Sequence, residues 1–305
     1  MSCRNMWQEA TAILAIALTL LFSSCSKDFD DDTAYTPNVD FKAEAYMSLS
    51  PESGSVQGAA CYEDYFVQGY AANKYLTIYN LKEKIRLGSV SIPASQTNST
   101  IHCNTLNFGN QKYDERDFFP ILYVSSGYRI SGNTKIYAYR IKCDDQADIQ
   151  SYSVTLVQTI TLTGFGTWTE GILDNENHYL WIKYEPQGTD GPYGYAKYEI
   201  PDVHQGNVTI DQGSFLDDFS LNLQPSGSSN QCHLFYHDRI VLVSGIPGSQ
   251  SLAFVAINTI NHNEELLVNL RKAGLKGEPE GLISYNGDFM ISYSNKLYKF
   301  LIDAI

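Results

Sequence analysis

The sequence predicts an all-β chain folded as a five-bladed β-propeller, and three observations carry that expectation. A short phrase, a polar residue and a small one followed by an apolar run, recurs as Gln57-Gly58-Ala59-Ala60, His102-Cys103-Asn104-Thr105-Leu106, Glu170-Gly171-Ile172-Leu173, Gln231-Cys232-His233-Leu234-Phe235 and Glu280-Gly281-Leu282-Ile283. Its first positions are 45, 68, 61 and 49 residues apart, which with insertions suits one four-stranded blade of roughly 40 to 50 residues. After each phrase come a turn rich in Asn, Asp or Gly and a second apolar run, such as Tyr179-Leu180-Trp181-Ile182 or Arg239-Ile240-Val241-Leu242-Val243. Finally, 22 Tyr and 14 Phe are present without any long helical pattern; aromatic side chains favour a pleated, half-buried surface.

Length and charge narrow the rest. A chain of 305 residues buries about three quarters of the surface that its unfolded form exposes, so one large domain needs no staples. The formal net charge of -13 excludes nucleic acid as a partner, because phosphate binding needs a cluster of Lys and Arg that the sequence lacks.

In chain order, Arg4 precedes an apolar run over 10–22, short for a membrane span and suited to a signal peptide. The run ends Leu21-Phe22-Ser23-Ser24-Cys25, which resembles a bacterial lipoprotein signal; the resemblance implies cleavage after 1–24 and lipid on Cys25. The acidic stretch Ser26-Lys27-Asp28-Phe29-Asp30-Asp31-Asp32 resembles the tract that directs Bacteroidetes lipoproteins to the outer face of the outer membrane. Physically it is a solvated tether, since a block of like charge stays extended. Asp32-Thr33-Ala34 matches the short O-glycosylation pattern of those bacteria, which makes Thr33 a candidate modification site. The expected organisation is a signal peptide over 1–24, a lipidated tether over 25–37 and one propeller over 38–305, lipid-anchored at the outer membrane and facing the cell exterior.

Of six cysteines, Cys3 leaves with the signal and Cys25 carries lipid, so Cys61, Cys103, Cys143 and Cys232 remain. None shows zinc-site spacing. Cys103 and Cys232 occupy the small-residue slot that Gly fills in other phrases, which predicts buried, inert thiols near the propeller axis. Export permits disulfides, but a Cys103 to Cys232 bridge would join non-adjacent blades and needs Cα atoms within about 7 Å, so none is expected.

The blades follow. Blade one runs through 58–62, 65–70, 75–79 and 85–90, short alternating runs with tight turns, the mark of an antiparallel meander. Blade two holds an insertion over 109–118, with Asp114, Glu115, Arg116 and Asp117, which belongs on a face or rim because polar backbone inside a blade would go unpaired. Its later strands are 135–141 and 154–162. Blade three starts at Glu170, places a Gly- and Tyr-rich stretch over 188–195 between its second and third strands, and takes 207–211 as its fourth. Blade four continues through 252–257 and 266–270. Blade five has strands from 280, 288 and 296 and lacks a fourth; the alternating segment over 39–46 supplies it and closes the ring. A six-bladed ring stays open as the alternative, with Phe215, Leu216, Phe219 and Leu221 in an irregular pair over 214–222.

Residues at the starts of innermost strands gather at one mouth of a propeller's channel. Gln57, His102, Asn104, Glu170, Gln231, His233 and Glu280 are therefore the candidate binding ring, able to hold a sugar, a peptide end or a cation through many hydrogen bonds. Repeated polar residues also satisfy backbone groups and channel water whatever the protein does. Trp168, Tyr193 and Tyr195 are contact-loop candidates, whereas Trp181, mid-strand, reads as core. No cofactor motif is present; calcium is open without a motif behind it, and no metal-ligand set is assigned. A nucleophile elbow, a phosphate loop and a metalloprotease helix motif are absent.

Gln57-Gly58 with Tyr62 and Phe66, then Glu170-Gly171-Ile172 and Glu280-Gly281-Leu282, resemble the blade starts of glutamine cyclotransferase propellers, which are five-bladed and close N-terminal glutaminyl residues into pyroglutamate. His102-Cys103-Asn104 and Gln231-Cys232-His233 depart from that pattern. Taken whole, the chain resembles uncharacterised Bacteroidetes surface lipoproteins with TolB-like or NHL-like propellers. Three functions are expected in order: a non-catalytic module binding a saccharide, peptide or other partner; an enzyme of cyclotransferase, polysaccharide lyase or hydrolase type with Glu170 and Glu280 as acid and base; and a scaffold subunit of a cell-surface complex, with an outer-membrane protein as partner.

Overall fold

The computed structural model describes residues 36, 39, 41–52, 55–71, 74–93, 103–126, 134–166, 168–185, 192–222, 230–245, 252–275, 277–293 and 295–302. All lie in the unit spanning 33–305. Cys25, Thr33 and His102 fall outside the described residues.

Five sheets form a ring as a five-bladed β-propeller. Blade one is the antiparallel run β2 (Val56–Tyr62), β3 (Tyr65–Tyr70), β4 (Tyr75–Asn80) and β5 (Ile85–Ser91). Blade two is β6 (Leu106–Phe108), β7 (Leu122–Ser125), β8 (Thr134–Lys142) and β9 (Ser153–Thr163). In blade four, β15 (Asn230–Tyr236), β16 (Arg239–Ser244), β17 (Ala253–Asn258) and β18 (Glu264–Asn269) repeat the meander. Blade five is β19 (Gly281–Tyr285), β20 (Asp288–Tyr293) and β21 (Lys296–Ile302), completed by β1 (Phe41–Ser48) from the start of the domain. β1 runs antiparallel to β21 from Phe41↔Ile302 to Ser48↔Lys296, the closure that the alternating segment predicts.

Blade three corrects the sequence reading. It comprises β10 (Thr169–Asp174), β11 (Tyr179–Tyr184), β12 (Tyr193–Glu199) and β14 (Asp217–Leu221), whereas β13 (Val208–Asp211) leaves the blade and pairs in parallel with β9 of blade two. The fourth strand expected over 207–211 is thus a strap onto the neighbouring blade, and the segment held open for a sixth blade is blade three's outer strand. Packing explains the exchange. Phe219 of β14 stacks on Tyr195 with ring centroids 5.1 Å apart, and Asp217 reaches Lys197 at 3.6 Å. Val208 and Ile210 instead complete the apolar cluster between blades two and three.

The strands read as near-continuous apolar runs because both faces of each blade are covered. Alternate side chains serve opposite neighbours. In β16, Ile240 and Leu242 pack toward blade three while Val241 and Val243 pack toward blade five; in β3, Phe66 faces blade five and Val67 faces blade two. Five apolar clusters among the described residues occupy the five interfaces between consecutive blades, including that of blade five with blade one.

The small residue of the repeated phrase has a steric cause. A Cβ on Gly58 would lie 2.2 Å from the Asn104 carbonyl oxygen, because the Gly58 N–H donates to Cys103 O at 2.8 Å across the inner strands. Cys232 fills the same slot in blade four, where its sulfur accepts from the Leu282 N–H at 3.3 Å. None of the four domain cysteines forms a disulfide, and burial pushes the Cys232 thiol up to about 12. The insertion of blade two is pinned at the rim: Arg140 grips Asp117 with two hydrogen bonds of 2.8 and 2.7 Å, and Phe118 and Phe119 pack on Tyr62 and Tyr65.

Candidate functional site

The five inner strands, β2, β6, β10, β15 and β19, stand side by side around the channel. Their starting residues bring Gln57, Asn104, Glu170, Gln231, His233 and Glu280 to one end of it. Two carboxylate clusters form there, in blades three and five, and they differ chemically.

Cross-strand register builds the first. Glu170 of β10 pairs with Lys183 of β11, so the two side chains share one face; Glu185, two residues on, points the same way. The Lys183 ammonium lies 2.8 Å from Glu185 Oε1 and 3.9 Å from Glu170 Oε1. Glu170 Oε1 accepts from the Trp168 indole N–H at 2.7 Å, and its Oε2 accepts from the Thr105 hydroxyl at 2.5 Å and from His233 Nδ1 at 2.7 Å. Burial by itself would raise the Glu170 pKa, but the adjacent His233 and Lys183, with the hydrogen bonds from His233 and Thr105, outweigh it and hold the carboxyl low, at about 2. Glu170 is therefore an ionised, fully engaged acceptor that fixes His233 through Nδ1. The imidazole's Nε2 has no partner among the described residues. Glu170, Lys183 and His233 are wholly buried, so the cluster sits behind the channel wall.

Blade five carries the second cluster. Gln231 donates to Glu278 Oε1 at 2.7 Å and to the Gly245 carbonyl at 2.9 Å. The Glu280 N–H donates to Ser292 O at 2.9 Å, which fixes its backbone, while its carboxyl has no hydrogen-bond partner among the described residues. Burial, and then the like charge of Glu278, push Glu280 up to about 9; burial also raises Glu278, against the Gln231 amide.

Other buried polar atoms near the strand starts have no partner among the described residues: Gln57 Oε1, both amide atoms of Asn104, Asn230 Nδ2 and Ser292 Oγ. Tyr193 and Tyr195, expected in a contact loop, lie in β12 and are buried, Tyr195 completely. Trp168 is half-buried against Glu170, and Trp181 is core, as its mid-strand place predicts. No group of three or more His, Cys, Asp or Glu placed to hold a metal ion occurs among the described residues. The opposite end of the channel opens as a cavity of about 140 Å³ between the far halves of the inner strands, beside Ala60, Leu106, Leu173, Leu234 and Ile283.

Thr105, Lys183, Glu185 and Glu278 belong to these clusters and escaped the sequence reading. The signal for Lys183 was its place in Tyr179-Leu180-Trp181-Ile182-Lys183-Tyr184, a lysine in a strand otherwise apolar on both faces.

Fold and site together define a five-bladed β-propeller with a polar ring at one end of its channel. No family model matches the sequence, and no curated protein matches it. Among solved structures, the chain is similar to the PQQ-bound aldose sugar dehydrogenase of Streptomyces coelicolor, at 7% identity and a TM-score of 0.50 over 88% of this chain and 100% of that one. The glutaminyl cyclase of Myxococcus xanthus is similar at 11% identity and a TM-score of 0.48, covering 88% and 99%. A Bacteroides caccae protein of unknown function is similar at 11% identity and a TM-score of 0.42, covering 79% and 71%. At such identities the likeness is one of fold.

Proposed function

We propose that this chain is a non-catalytic, ligand-binding propeller displayed at the outer-membrane surface through lipid on Cys25, with the ring at the starts of the inner strands as its site and saccharide as the ligand class. One observation carries the binding reading: Gln57, Asn104 and Asn230, all buried, keep amide atoms that no group of the described residues satisfies. A buried polar atom left unmade costs about 1 to 3 kcal/mol, so the ring is built for hydrogen-bonding guests, water or the polar groups of a ligand. Sugar hydroxyls, which both donate and accept, suit paired amides and carboxylates. The lipoprotein-like signal and the acidic stretch over 26–32 support the surface address.

A thermal-shift screen of the purified chain against an oligosaccharide panel tests the reading. A binder at a hundred times its dissociation constant stabilises by about 2.7 kcal/mol, and Asn104→Ala should abolish the shift. If no oligosaccharide moves the melt, the saccharide reading fails. For the address, lipid labelling should vanish in Cys25→Ala, and protease added to intact cells should remove the wild-type protein.

A further inference from the structure

The apolar cluster between blades three and four adjoins a row of polar side chains that register puts together. Trp181 of β11 pairs with Lys197 of β12, and Lys197 pairs with Asp217 of β14. The three side chains therefore share one face of blade three, the face on which Trp181 packs with Ile240 and Leu242 of blade four. Tyr179, two residues before Trp181, points the same way, and Asp174 stands across from it on β10. The Lys197 ammonium lies 5.0 and 5.3 Å from the ring centres of Tyr179 and Trp181. Two turns of blade four make the facing wall, joined where the N–H and the hydroxyl of Thr259 both donate to Asp238 O, at 2.9 and 2.8 Å.

Between these walls is a cavity of about 330 Å³, near the small end of the roughly 300 to 1,000 Å³ that ligand sites span. Asp174 ends β10 and Asp238 follows β15, whereas the ring residues stand at the starts of the inner strands, so this cavity lies at the other end of the blades. Two donors on its wall are unspent. Trp181 is 1% exposed and lines the cavity, yet its indole N–H has no partner among the described residues; a buried indole N–H ordinarily finds an acceptor. The Lys197 ammonium reaches Asp217 only at 3.6 Å, beyond hydrogen-bond range. A guest must bring an acceptor to these donors and donors to Asp217 and Asp238, and a hydroxyl does both with one oxygen. A guest carboxylate or phosphate would meet Asp174, Asp217 and Asp238 against a single ammonium, which favours a neutral guest. The three carboxylates form no metal-binding group.

We propose that this cavity between blades three and four is a second saccharide site, separate from the ring and sized for one neutral sugar, whose hydroxyls accept from Trp181 and Lys197 and donate to Asp217 and Asp238. Magnetic resonance of the purified chain with isotope-labelled tryptophan tests it. The chain has three indoles, and Trp181→Phe assigns the signal in question. Trp168, whose indole donates to Glu170 at the ring, reports on the other site. The probes are D-glucose, D-galactose and D-mannose, with glycine as a charged comparison. At least one sugar should move the Trp181 signal saturably, and glycine should not. Lys197→Met, which keeps the stem and removes the donors, should weaken that sugar at Trp181 at least about tenfold and leave the behaviour of Trp168 unchanged. A melt checks the fold of this variant, and Asp217→Asn, expected to weaken the same sugar, serves in its place if the fold is lost. A Trp181 signal that no sugar moves, that glycine moves as strongly, or whose response survives the substitution unchanged overturns the proposal. Movement of Trp168 alone also overturns it, and leaves the ring reading standing.

Discussion

Glu170 and Glu280 begin equivalent strands, and their surroundings drive them in opposite directions. Glu170, held at about 2 by His233, Lys183 and Thr105, contributes stability that is complete above the unfolded carboxylate range and is lost as pH falls from about 5 toward 2. Glu170→Gln leaves Lys183 paired with Glu185 but puts a neutral amide where Trp168, Thr105 and His233 meet a carboxylate, so it should destabilise the fold by about 1 to 3 kcal/mol in denaturant titrations at neutral pH. A purely catalytic glutamate would leave the titration unmoved. Glu280, pushed up to about 9, has the reverse sign: the fold binds its proton where the unfolded chain does not, so stability falls as pH rises from about 5 to 9. Glu280→Gln should flatten that part of the melting profile in the absence of ligand. The ring positions of both residues were legible in the sequence because the phrase repeats. Their divergence was not, because Lys183 lies on the second strand of blade three, and only register shows that it faces Glu170.

At the level of the strand, the repeated phrase encodes two requirements at once, a polar residue at the channel and a small one where the next blade's backbone closes in. Gly58→Ala should cost about 1 to 3 kcal/mol, measured by urea unfolding, since the added carbon meets the Asn104 carbonyl and the inner strands must part. Strands one to three of most blades were readable from apolar runs and turn residues. The exchange of β13 and β14 was not, because Val208-Thr209-Ile210-Asp211 and Asp217-Asp218-Phe219-Ser220-Leu221 are both short alternating runs. What separates them is tertiary: Tyr195 offers Phe219 a ring to stack on, and the edge of β9 offers Val208 and Ile210 a parallel partner. Phe219→Ala should therefore loosen blade three's outer strand, raising amide exchange over 217–221 while leaving 208–211 protected.

The ring as a whole is joined at one seam, where β1 meets β21. Deleting 41–48 would uncover the edge of β21 and the apolar cluster that Met47 and Leu49 share with Phe66 and Tyr79; the truncated chain should lose its cooperative melt and aggregate through the open edge. Whole-molecule closure was legible in the sequence, since a segment alternating apolar and charged residues stood ahead of the first blade and the last blade was one strand short. The blade count was settled by packing, with an apolar cluster at each of five interfaces. The seam also orders events in time. Among the described strands β1 is the first made and β21 the last, so every chain still emerging from the ribosome carries β1 without its mate. Contacts separated by some two hundred and fifty residues form late and slowly. The propeller therefore cannot lock while β21 is still unmade, and the ring becomes whole only once β1 and β21 have met.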